Sequence, residues 1–264
     1  MRSEGNMKKI GWIGGILLCL AVVVGAKPHK VHYASQAVES LPAFHTLKVE
    51  GNVEVDFRQH ETATVHVSGP QNLVNTVAVE VQEGVLWVHF SPQGILGRMD
   101  KLRVAVTGPD LYAVIATGRS RVHVRGSLQA PKLTLHVNQA GEFSADGVTV
   151  QRLEVSAKDQ AEVDLNRLDA QTVYATASDK ADIEMAGLAL RATLDNRGAG
   201  EIDAADLRVH TGRAQVGGKG NIHISAYESL EAQVWGKGKI IYRGEPVVLN
   251  RSGNRKHIVP DRED

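Results

Sequence analysis

Carboxylates recur in this chain at a near-constant spacing. Glu142, Glu162, Asp182 and Glu201 form one series, and Asp164, Glu184 and Asp203 form a second, two residues further along. On stacked strands such series become columns of oxygen donors about 4.8 Å apart. Calcium takes about six to eight oxygen ligands, so the columns are the raw material of a cation patch. The competing reading is a solvated acidic strip. Like charges about 5 Å apart repel by about 1 kcal/mol in water, which an exposed face tolerates, especially with Lys158, Lys180 and Arg197 nearby. No D-x-[DN]-x-[DN]-G loop is present to complete a shell. The solvated strip is therefore the expectation, with Ca2+ the sole cofactor candidate.

Other chemistries fail on spacing. His60 and His66 stand six residues apart in HETATVH, where a zinc-protease helix needs H-E-x-x-H to bring both imidazoles to one face. His66, His89, His123, His136, His210 and His223 fall on alternate strand positions facing outward. Gly198-Ala-Gly, Gly218-Lys-Gly and Gly236-Lys-Gly recur as turns, and no helix follows to offer its N-terminus to a phosphate. There is no G-x-S-x-G elbow. Trp235 beside the last turn is expected to cover the end of the molecule; stacking on a sugar ring is its alternative role. No catalytic residue is expected.

The elements that position these residues form a repeat. Val122, Phe143, Val163, Ile183, Ile202, Ile222 and Ile240 are apolar anchors separated by 21, 20, 20, 19, 20 and 18 residues. Each begins a short run of period-2 alternation, the mark of a strand with one face inward. A second alternating strand precedes each anchor in fixed register, as in Leu133-Leu135-Val137 and Leu153-Val155-Ala157. Between them lies a turn of constant length rich in Gly, Asp and Ala, so length variation falls after the anchor strand. About 20 residues accommodate two short strands and two turns, not a strand and a full helix. The predicted fold is all-β: a parallel β-helix, or solenoid, with regular rungs over 111–244.

Residues 31–110 are β-rich without that register and predict first rungs together with an N-terminal cap. The chain opens with Lys8 and Lys9 before an apolar run from Ile10 to Ala26, the pattern of a secretory signal or an uncleaved anchor. Cys19, the only cysteine, follows Leu18 rather than the small residue that lipidation needs, and no disulfide framework exists. Zero formal charge excludes an electrostatic footprint for nucleic acid. The expected organisation is a leader at 1–26, a linker at 27–37, the β-helix at 38–248 and a polar tail at 249–264.

The closing string GKGKIIYRGEPVV, with PAFHTLKVEGNVEVDFRQ, VQEGVLWVHF and VTGPDLYAVIATG before it, resembles the GIN-domain family, described as the head domain of putative auto-transporter adhesins. The resemblance spans most of 38–248. It implies a right-handed parallel β-helix, an exported bacterial envelope context and no catalytic residues to transfer. The chain departs from the family's Gly-rich turns at KDQA and SDKA. The resulting expectation is a non-catalytic binding or scaffolding module of the cell envelope or surface, in periplasm or outside. Its ligand would be a polysaccharide or protein, with membrane contact through residues 10–26 if that segment is retained. The alternatives are a calcium-assisted polysaccharide lyase or hydrolase, and a membrane-anchored accessory protein.

Overall fold

The computed structural model describes residues 33–39, 41–90 and 102–261; the expected leader lies outside them. Eight strands precede the regular rungs among the described residues. These are β1 (Tyr33–Glu39), β2 (Thr46–Gly51), β3 (Glu54–Gln59), β4 (Thr64–Pro70), β5 (Val77–Gln82), β6 (Val85–Phe90), β7 (Arg103–Gly108) and β8 (Ala113–Gly118). The rungs follow as β9 (Arg121–Val124), β10 (Leu128–Val137), β11 (Glu142–Ala145), β12 (Val148–Ala157), β13 (Glu162–Ala177), β14 (Asp182–Asn196), β15 (Ile202–Val216), β16 (Ile222–Val234) and β17 (Ile240–Arg243).

All seven anchors stand in one column. Phe143 pairs with Val122 and Val163, Val163 with Ile183, Ile183 with Ile202, Ile202 with Ile222 and Ile222 with Ile240. Each is buried. The preceding strand stacks as Leu133, Leu153, Val173, Ala192, Gly212 and Leu230. Every pairing within the rungs is parallel, and the two columns line one shared core.

Each rung holds three strand runs, not the two expected. Leu128–Ala130, 148–150, 168–170, 187–189 and 207–209 form a third parallel ladder. Three residues are too few for period-2 alternation to stand out, and this ladder absorbs the length variation. At Gly187 the backbone has φ of +135°, and a Cβ would lie 2.1 Å from the Leu168 oxygen. A glycine there lets β14 shorten by one residue at a local register shift, after which the pairing with β13 resumes.

The cap is built out of chain order. β2 lies between β6 and β8, and β3 between β7 and β9, all parallel. The first rung along the axis is therefore β6–β7, which follows β2–β3 in sequence. Antiparallel β5 covers β6, β4 covers β7, and β1 extends β4. Antiparallel strands end the parallel stack and its open edge. The boundary expected at residue 38 accordingly falls within β1.

The other end closes with β18 (Val248–Gly253) on β16 and β19 (Ile258–Pro260) on β17. The polar tail expected from 249 is thus a final rung as far as Asp261. Arg251 falls opposite Ala232 in an inward column yet is exposed. A charge in that column, with Pro260 lacking an N–H, discourages a further strand from adding.

Two turn designs alternate with the ladders. Gln139, Asp159 and Asp179 take left-handed φ of 62°, 64° and 59°. From Gly198 onward the turns pack backbone on backbone instead. A Cβ at Gly200, Gly220 or Gly238 would lie 2.1, 1.7 or 1.8 Å from the carbonyl oxygen one rung earlier. Asn196 marks the change: its buried amide donates to the carbonyls of Gly200 and Asn221 at 2.7 and 2.9 Å and accepts from the Gly198 N–H at 3.0 Å.

Candidate functional site

The acidic residues occupy the columns expected of them. Glu142 pairs with Glu162 and Glu162 with Asp182, while Asp164 pairs with Glu184 and Glu184 with Asp203. Glu201 precedes Ile202 and so continues the first column beside Asp182. Several carboxylates are already engaged. Arg121 Nε donates to Glu142 at 2.6 Å, and the Glu201 N–H donates to Asp182 at 2.7 Å. His223 lies 2.8 Å from Glu201; Asn166 donates to Asp164 at 3.1 Å and the Ala205 N–H to Asp203 at 3.0 Å. Desolvation, then Asp164 and Asp203, push the Glu184 carboxyl above its ordinary range, and desolvation with Asp146 raises Asp164. Among the described residues no three His, Cys, Asp or Glu side chains converge to hold a metal ion.

Next to these columns lies a depression of about 400 Å³ lined by Glu54, Arg121, His123, Arg125, Glu142 and Ser144. His123 is half-buried, and its Nδ1 stands 2.6 Å from Ser144 Oγ, with Asp146 3.8 Å from Nε2. This Ser–His–Asp set escaped the sequence reading because its members come from successive repeats. Its signal is columnar: 123 and 144 occupy one repeat position 21 residues apart. Ser144 lies mid-strand between His123 and Asp164, where its backbone belongs to two parallel ladders. The Ser144 N–H is thereby committed to the sheet and is not a free oxyanion donor. Arg121 and Arg125 are held by Glu142 and Asp56 at 2.6 and 2.8 Å. The His123–Ser144 contact joins two successive rungs.

On the β10–β12–β13 face Glu154 accepts from Arg152 Nε at 2.6 Å and faces Lys132 Nζ at 2.8 Å, and these cations hold its carboxyl below the ordinary range. Arg152 also covers the Tyr174 ring at 4.5 Å. His66 stands 2.7 Å from Ser35 Oγ, and His60 accepts from the Thr62 N–H, so the HETATVH histidines do not converge. Trp235 is 57% exposed and sits over Gly217 of the preceding rung. It does not cover the end of the solenoid as expected. That role falls to β18, whose Gly253 pairs with Val234.

A parallel β-helix with antiparallel capping strands, carrying straight polar columns on its outside, defines a solenoid that presents surface. The chain belongs to the family described as "Putative auto-transporter adhesin, head GIN domain", whose model matches residues 43–166 and 144–246. Solved structures share the fold. A putative adhesin from Parabacteroides merdae ATCC 43184 is 22% identical with a TM-score of 0.77, covering 87% of this chain and 96% of that one. A putative lipid binding protein from Parabacteroides distasonis ATCC 8503 is 18% identical with a TM-score of 0.77, covering 87% and 97%. A putative adhesin from Bacteroides fragilis NCTC 9343 is 22% identical with a TM-score of 0.64, covering 89% and 99%. No curated protein matches the chain.

Proposed function

We propose that this chain is an exported, non-catalytic adhesin-like module that binds an external ligand through the outer faces of its β-helix. The observation that carries the reading is the parallel stacking from β9 to β17, in which the anchor column keeps one register through every rung while the bulges fall elsewhere. It sets polar side chains in straight columns about 4.8 Å apart, a rigid surface whose ordering entropy is already spent before a ligand arrives. Family membership supports the same reading. Export would rest on residues 10–26; among the described residues no helix is long and apolar enough to cross a membrane.

The test is adherence. Beads coated with the full chain are passed over intact bacterial and epithelial cells and over immobilised extracellular polysaccharide, and retention under flow is counted. Retention above that of albumin-coated beads supports the module. Equal retention on every surface removes it.

A further inference from the structure

The turn edge changes character towards the C-terminal end. In successive rungs the third turn residue donates its N–H to the second turn residue of the rung before. Lys180 donates to Asp159 at 2.7 Å, Ala199 to Asp179 at 2.5 Å, Lys219 to Gly198 at 2.7 Å and Lys237 to Gly218 at 2.8 Å. The ladder therefore continues around the corner, and Lys180, Ala199, Lys219 and Lys237 stand in one row. Lys219 and Lys237 are one rung apart, and Lys180 is two rungs before Lys219. Their ammonium groups are exposed and form no ion pair among the described residues. The neighbouring cation Arg197 is matched by Asp195 at 2.7 Å, and Glu201 is occupied by His223. The turns RGAG, GGKG and WGKGK contain no acid, whereas Lys180 has the exposed Asp179 as its neighbour in SDKA.

Trp235 completes this edge. It occupies the turn position held in earlier rungs by Lys158, Ser178 and Arg197 and finally by Gly217. A Cβ on Gly217 would come within 2.8 Å of the indole nitrogen. The bare glycine seats the indole while more than half of the residue stays in solvent. The core at this end is already closed by β18, so packing does not explain the exposed ring.

A flat edge, the cations Lys219 and Lys237 one rung spacing of about 4.8 Å apart with Lys180 two rungs before Lys219, and a seated aromatic face match one ligand chemistry. An extended pyranose chain advances by a similar length per sugar. It offers C–H faces to an indole and, when built of uronic acids, one carboxylate per residue to a row of cations. Duplex nucleic acid fits less well: with one charge per about 1.7 Å it meets more repulsion from the acidic columns around the corner than a chain with one carboxylate per sugar does. We propose that Lys180, Lys219, Lys237 and Trp235 form a binding edge for an extended acidic polysaccharide of the polyuronate class. The inference deepens the adhesin-like reading and rests on it.

The experiment is calorimetric titration of the full chain with oligogalacturonate at low salt. Maltooligosaccharide of equal length, a single-stranded oligonucleotide and phosphatidylglycerol vesicles are titrated alongside. Saturable binding of oligogalacturonate alone is expected. Trp235→Ala and Lys219→Ala/Lys237→Ala are each expected to weaken it about tenfold, and the lysine pair to flatten its salt dependence, with melting unchanged. No oligogalacturonate binding, equal binding by Lys219→Glu/Lys237→Glu, or preference for any of the three comparison ligands overturns the proposal. Beads that adhere to cells while oligogalacturonate is ignored overturn this inference alone; beads that adhere to nothing overturn the adhesin-like reading.

Discussion

Asn196 donates its side-chain amide to the Gly200 carbonyl at 2.7 Å from inside the core, in a column otherwise filled by Val137, Ala157, Ala177, Val216 and Val234. A buried amide costs free energy unless its groups are paired, and here both donors and the acceptor are paired. Replacing it by Ala would strand the Gly198 N–H and remove a partner from two carbonyls. Asn196→Ala is expected to destabilise the fold by about 2–3 kcal/mol. Urea unfolding checks this through a lower midpoint at unchanged slope.

The glycine-stacked turns make a second, steric prediction. At Gly220 an added Cβ would meet the Gly200 oxygen at 1.7 Å and Asn196 Nδ2 at 2.8 Å. At Gly147 it would meet nothing closer than 3.7 Å. Gly220→Ala should cost upwards of about 3 kcal/mol, and Gly147→Ala should stay within about 0.5 kcal/mol of the parent. Thermal unfolding of the pair separates backbone contact from general loss of glycine.

Glu184 gives a pH prediction with a definite sign. Its folded carboxyl titrates above the ordinary glutamate range because of desolvation and its acidic neighbours. A raised folded value favours the protonated form in the native state. The native state therefore gains from protonation below the ordinary value, and that gain is lost as pH rises through the folded one. At neutral pH the charge is a net cost, held small by solvent screening. Glu184→Gln should raise the melting temperature by about 1–2 °C at pH 7 and leave it unchanged at pH 3. Glu154 has the opposite sign, since Lys132 and Arg152 lower its value. Glu154→Gln should lower stability at pH 7, with the difference fading as pH falls through the depressed value.

Calcium is expected to find no saturable site on the acidic columns. Asp182 accepts the Glu201 N–H, Glu142 is bound by Arg121 and Glu201 lies against His223. Gathering six to eight oxygens would break these contacts. Calorimetric titration with calcium should show dilution heat only, and Asp182→Asn/Glu184→Gln should behave as the parent does.

The rung register was legible because two periodicities coincide, alternation within a strand and recurrence near 20 residues between anchors. The acidic columns followed from that register alone. The third ladder was not legible, since three residues such as Leu168–Ala170 carry too little alternation to stand out. Nor was the insertion of β2–β3 between β6–β7 and β8–β9. Strands there are joined to partners that are not the next in sequence, and side-chain pattern carries no record of such order. The Ser144–His123 contact and the seating of Trp235 on Gly217 were hidden for a related reason: each joins residues one repeat apart.

The adhesin-like module proposed for this chain binds without turnover. The most direct measurement immobilises the ligand to which coated beads adhere and records retained mass of the full chain together with any released reducing ends or unsaturated sugars. The account predicts retained mass that scales with protein concentration and no product over a day, with or without calcium. Product formation that depends on Ser144, His123 or the carboxylate columns would contradict it.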